Sequence, residues 1–111
     1  MNPFRDWPGG PELFSRDCKV SDAAGVTSEL KVRFYGPVKN PDGDDYLARA
    51  NIDCPFFSKD VYGSGEDAAQ AFFALPRAVV SYLIGRRRYG YETYWLEKGD
   101  LDYANFWTYA Q

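Results

Sequence analysis

Three carboxylates cluster at Asp42, Asp44 and Asp45, in the stretch NPDGDD (40–45). Carboxylates that close together could hold a hard cation or share acid–base work. The spacing does not follow the calcium-loop pattern Asp-x-Asp-x-Asp-Gly with a later Glu, and Asp and Gly are also what a tight turn asks for on conformational grounds. The cluster therefore reads first as a turn and second as an acidic patch facing a basic partner. A second candidate, RRRYGY (86–91), interleaves cations with aromatics, as in some grips on single-stranded nucleic acid. Arginines at the end of an apolar run also complement the negative end of a helix. The whole chain carries a net charge of −3, which disfavours nucleic acid and anionic membrane surfaces. A third candidate, GSGED (63–67), sets glycines before a helix start, where anions can bind, yet Glu66 and Asp67 would repel a phosphate there.

Several chemistries are missing. The chain has no histidine, so neither a Ser-His nor a Cys-His pair can form within it. It has no Gly-x-Ser-x-Gly elbow, P-loop or Gly-x-Gly-x-x-Gly. Two cysteines, Cys18 and Cys54, are too few for a disulfide framework and cannot complete the usual zinc site without recruiting carboxylates. Both read as small apolar fillers. No catalytic residue, metal site or cofactor is expected, and the balance leans away from an enzyme without deciding it. MNPFRDWPGGPELF at the start lacks a charged region followed by an apolar one, so no secretory signal is legible and a cytoplasmic setting is expected.

The elements that would position these residues follow from periodicity. With 111 residues the chain has room for one core. Residues 1–11, rich in Pro and Gly, read as an irregular arm. An extended segment over 12–20 places Phe14, Cys18 and Val20 on one face, and SDAAG (21–25) reads as a turn. Leu30, Val32 and Phe34 alternate with Glu29, Lys31 and Arg33, giving a strand with one dry and one wet face, which Gly36-Pro37 is expected to end. A third strand over 46–53 turns Tyr46, Ala48, Ala50 and Ile52 to one side, and FFSKDVY (56–62) reads as a short fourth.

A helix is expected over 66–84, with Ser64 as N-cap, Gly85 as C-cap glycine, and a kink or break at Pro76. Its polar residues and Pro76 argue against a membrane span. Glu66, Gln70, Arg77 and Ser81 form one narrow polar stripe. The apolar surface left over is wider than a single sheet can cover, so its second flank is expected to meet the aromatic tail or a homodimer partner. A last strand is expected over 89–97, then a turn at 98–100. The tail (102–111) favours a short helix through Tyr103, Phe106, Trp107 and Ala110. The fold class is α+β: an antiparallel, meander-like sheet of four to five strands under one main helix. The single domain spans 12–101, with the tail packed on it or on a partner.

The order of motifs resembles a bacterial family of small domains of unknown function. The resemblance rests on Gly36-Pro37, Gly43 with Asp45-Tyr46, the helix start from Gly65 to Phe72 in the sequence GEDAAQAF, and Trp95-Leu96 followed by Gly99-Asp100-Leu101. It covers roughly 12–101 and departs at Ala48, where the family often has Cys, at Pro76 and at the tail. It implies a meandering sheet with one main helix and no established activity, so no functional residue carries over.

The reading these observations favour is a non-catalytic protein-interaction module, for example an immunity-like protein that plugs a toxin. Its expected partner is another protein, basic where it meets Asp42, Asp44 and Asp45, with Tyr103 and Trp107 as aromatic anchors. Aromatics make up 18% of the chain, and Tyr and Trp suit such anchors. The alternative is a small-molecule binder or enzyme with an aromatic and carboxylate pocket. A single-stranded nucleic-acid binder through Arg86, Arg87 and Arg88 ranks third.

Overall fold

The computed structural model describes residues 10–94. Residues 1–9 and 95–111, among them Tyr103, Trp107 and the expected tail helix, lie outside the described residues.

Five strands form one antiparallel sheet against a single helix, an α+β architecture. The strands are β1 (Glu12–Ser21), β2 (Thr27–Lys39), β3 (Tyr46–Asp53), β4 (Ser58–Gly65) and β5 (Glu92–Tyr94), in the order β4-β3-β2-β1-β5. The first four form a meander. The helix α1 (Ala68–Gly85) then crosses one face of the sheet, and β5 pairs with the far side of β1.

Alternation decides which face is dry. Cys18, Val20, Leu30, Val32, Phe34, Ala48, Ala50 and Ile52 all point toward the helix and are buried. The helix answers with Ala71, Leu75, Val79 and Leu83 at spacings of four, so its buried stripe lies along one side. Small residues let it approach closely: Gly63 on β4 sits against the Ala71 carbonyl and Ala74, where a side chain would collide.

Several boundaries differ from the sequence reading. The second strand does not end at Gly36-Pro37. It runs on to Lys39 through a register irregularity between Tyr35 and Val38, a bulge that absorbs the proline. The fourth strand lies over Ser58–Gly65 rather than 56–62, because Cys54 to Phe57 form the turn closed by the Cys54 N–H donating to the Phe57 carbonyl at 3.0 Å.

The helix starts and stops elsewhere than expected. Ser64 belongs to β4, and Asp67 is the N-cap, its carboxylate accepting from Gln70 N–H at 2.8 Å. Gln70 Oε1 in turn accepts from Glu66 N–H at 2.6 Å, a reciprocal arrangement close to a capping box. Gly85 is helical (φ −61°), and the chain continues into a 3-10 turn, Arg86–Tyr89. The glycine that ends the run is Gly90, at φ +90°. Residues 86–89, including the start of the expected last strand, therefore belong to that turn. Pro76 does not divide α1, which runs unbroken from Ala68 to Gly85. The proline is buried in the flank that faces the sheet, where packing on both sides of it outweighs one missing hydrogen bond.

Residues 68–89 form a stretch long and apolar enough to cross a membrane by length and composition alone. In this fold its buried stripe lies on the sheet.

Candidate functional site

The antiparallel register puts two groups of side chains at opposite ends of the molecule. Tyr46 pairs with Gly65, so the turn between β2 and β3 and the start of α1 share one end. The turn between β3 and β4 and the arginines after α1 share the other.

At the first end the acidic turn is closed by Asn40. Its Nδ2 donates to Asp45 Oδ1 at 2.9 Å, its Oδ1 accepts from Asp42 N–H at 2.9 Å, and its own N–H donates to the Asp45 carbonyl at 2.8 Å. Asp45 is thus a structural member of the turn, half-buried. Asp42 and Asp44 stand exposed. Glu66 and Asp67 add two more carboxylates at this end, and Asp67 is engaged in capping.

The same end carries a chain of phenylalanines that sequence reasoning did not join. Phe34 is fully buried, and Phe14 stacks on it with ring centroids 4.9 Å apart. Phe72 meets Phe14 edge-on at 6.2 Å, and Phe73 meets Phe72 at 6.2 Å. Phe34 is 0% exposed, Phe14 40% and Phe73 56%, with Phe72 half-buried between the last two. Ile84 lies on the outer side of α1 as well, at 46%. The polar stripe of Glu66, Gln70, Arg77 and Ser81 is exposed throughout. The signal for the surface chain lay in the Phe72-Phe73 pair: adjacent helical positions are about 100° apart, so a narrow contact cannot hide both.

The face of the sheet away from α1 is a polar lattice. Arg33, Asn51 and Asp60 occupy one cross-strand row. Arg33 Nη1 donates to Asn51 Oδ1 at 3.3 Å, and Asn51 Nδ2 donates to Asp60 Oδ1 at 2.9 Å. Arg33 also lies 3.6 Å from Glu12 and 3.9 Å from Asp53, while Arg49 reaches Asp60 at 3.7 Å and stacks 4.1 Å over the Tyr35 ring. Lys31–Asp17 and Lys19–Glu29 complete the pattern. A shallow groove of about 590 Å³ runs here, lined by Asp17, Glu29, Lys31, Arg33, Asp53 and Cys54. Pairs this exposed contribute roughly 0–1 kcal/mol each and leave each cation already matched.

Two groups on the sheet titrate away from their ordinary range. Burial pushes the Cys18 thiol up to about 11, against a smaller opposing pull from the Arg16 guanidinium. A thiol held neutral in the core is a filler, as its sequence context suggested, and not a nucleophile. Burial, and after it the charge of Asp60, raises Tyr62. Among the described residues no group of three or more Cys, Asp or Glu side chains is arranged to hold a metal ion.

At the second end, Phe56, Phe57, Tyr82 and Tyr91 form an aromatic cluster. Tyr91 stacks on Phe56 at 5.5 Å and meets Phe57 edge-on at 5.4 Å. Arg86 lies over both the Tyr82 ring, at 4.8 Å, and the Tyr89 ring, at 4.6 Å.

No family model, curated protein or solved structure matches this chain. The motif that carried the family resemblance has a physical role of its own. In GEDAAQAF, Asp67 and Gln70 build the helix cap, Ala71 is buried on the side of the helix that faces the sheet, and at Gly65 any side chain would strike Gln70 and the Ala71 N–H.

Proposed function

We propose that this protein is a non-catalytic protein-interaction module whose anchors are the surface-reaching phenylalanines of β1 and α1. The observation that carries this reading is Phe73: 56% exposed, yet joined through Phe72 and Phe14 to the fully buried Phe34. A ring held from beneath loses little freedom when a partner covers it, and such preorganised aromatics are what interface hot spots are made of. Asp42 and Asp44, exposed at the same end, supply an acidic rim suited to a basic partner surface. The groove on the opposite face lends less support to a small-molecule reading, because it is shallow and most of its lining side chains are charged and ion-paired with one another.

The test is affinity capture from native lysate by the wild-type chain and by Phe73→Asp, both first shown to melt alike. One protein retained at stoichiometric level by the wild type and lost by the variant is the expected result. Equal capture by both, or no stoichiometric partner at either low or high salt, would sink the reading.

A further inference from the structure

Two sets of cations contrast here, although Lys39, Lys59 and Arg77 also lack a carboxylate partner among the described residues. On the open sheet face Lys19, Lys31, Arg33 and Arg49 each have a carboxylate within 4 Å. At the end of α1, Arg86, Arg87 and Arg88 have none among the described residues. Arg86 is held between the Tyr82 and Tyr89 rings, and its Nε is buried without a hydrogen-bond acceptor. Arg87 and Arg88 are exposed beside it, and the Tyr89 ring is 58% exposed.

We infer that Arg86, Arg87, Arg88 and Tyr89 form a docking site for a short acidic segment of a partner protein. The helix terminus alone accounts for positive charge here. It does not account for a guanidinium stacked over two tyrosine rings beside two exposed arginines. Arginine forks take carboxylates in paired, planar hydrogen bonds, and an aromatic stack fixes the plane of the fork in advance. The size of the patch selects the class of ligand. A 3-10 turn rises about 2 Å per residue, so Arg86 and Arg88 are about 4 Å apart along its axis, enough for one or two anionic groups. Nucleic acid gains its affinity from neutralising many phosphates along a strand, and three adjacent arginines on a chain of net charge −3 offer few such contacts. One or two carboxylates in a short peptide match that reach.

This assignment rests on the interaction reading but concerns the opposite end of the molecule, and a synthetic probe separates the two. The probe is a fluorescein-labelled peptide of alternating Glu and Gly, titrated by anisotropy with the full chain at low salt. A Gln and Gly peptide and an oligothymidylate serve as comparisons. Binding of the acidic peptide alone is expected. The double variant Arg87→Glu, Arg88→Glu should weaken it by more than about tenfold, as should the charge-keeping triple change of Arg86, Arg87 and Arg88 to Lys, which removes the fork. Arg87 and Arg88 are exposed, so the double variant decides the matter even where a change at Arg86 disturbs packing. No binding at low salt, undiminished binding by either variant, or tighter binding of the oligothymidylate would each overturn the assignment. None of these results bears on capture through Phe73, and loss of that capture would leave the peptide result standing.

Discussion

Phe14 on β1 stacks against Phe34 on β2 with ring centroids 4.9 Å apart and planes tilted by 26°. One ring is 40% exposed and the other fully buried, so a single contact joins the surface to the core. Phe34→Ala should therefore cost about 3–5 kcal/mol, the range for emptying a filled aromatic site. Phe73→Ser, farther along the chain, should change stability by no more than about 0.5 kcal/mol while removing partner capture. Urea unfolding of both variants checks the contrast. Similar losses for the two would mean that Phe73 belongs to the core.

The helix start separates two capping residues. Asp67→Ala removes the carboxylate that accepts from Gln70 N–H and should destabilise by about 1 kcal/mol. Ser64→Ala, at the position that local sequence favours as cap, should be neutral to within about 0.5 kcal/mol, because Ser64 lies in β4. Thermal melts of the two variants in one buffer decide it.

Two glycines predict opposite signs. Gly90 adopts φ +90°, and a side chain there would also press on the Ala23 methyl at 2.8 Å. Gly90→Ala should cost about 1–3 kcal/mol. Gly85 is helical with open space around it, so Gly85→Ala should stabilise by about 0.5–1 kcal/mol. A loss at Gly85 and none at Gly90 would relocate the helix end.

Cys18 makes stability depend on pH. Its thiol rises from 9.0 to about 11 on folding, so the folded chain keeps a proton that the unfolded chain releases. The contribution is fully present below 9.0 and is lost as pH climbs toward 11, by about 3 kcal/mol in all. Tyr62, raised as well, adds a loss of the same sign at high pH. The informative comparison is thus the wild type with Cys18→Ala by urea unfolding across that window. The wild type should lose the more stability, and equal slopes would place the thiol in water.

The row across β2, β3 and β4 depends on its middle member. Asn51 accepts from Arg33 and donates to Asp60, and Asn51→Ala breaks both bonds at once, for a loss of about 1–2 kcal/mol. In a double-mutant cycle Arg33 and Asp60 should stay coupled in the wild type and become independent in Asn51→Ala. Coupling that survives without Asn51 would show that the two charges communicate directly.

Much of the architecture was legible from local pattern. Leu30, Val32 and Phe34 against Glu29, Lys31 and Arg33 marked a half-buried strand, and the third strand at 46–53 lies where alternation put it. The exposed stripe of Gln70, Arg77 and Ser81 on α1 was legible for the same reason, while Glu66, read as part of it, precedes the helix. Element ends were less so. Ser64 and Asp67 both suit an N-cap, and the choice falls on Asp67 because β3 pairs with β4 as far as Gly65. Pro37 cannot donate to a sheet, yet a bulge lets β2 pass it and pair again at Val38 and Lys39. Of the acidic residues singled out, the turn reading accounts for Asp45, while Asp42 and Asp44 face water.

The sequence by itself determined which residues must leave water, in what local geometry, and which chemistries lack their reactive groups. Those are properties of side-chain type and of a spacing of two or 3.6 residues, and neighbours along the chain suffice to express them. Tertiary structure alone decided which of those residues meet: that Phe14, Phe72 and Phe73 join Phe34 in one chain to the surface, that Arg33 finds Asp60 through Asn51, and that Arg86 rests between Tyr82 and Tyr89 with no carboxylate in reach among the described residues. Strand register and the path of a helix across a sheet bring together side chains far apart in sequence, and no local periodicity encodes that choice.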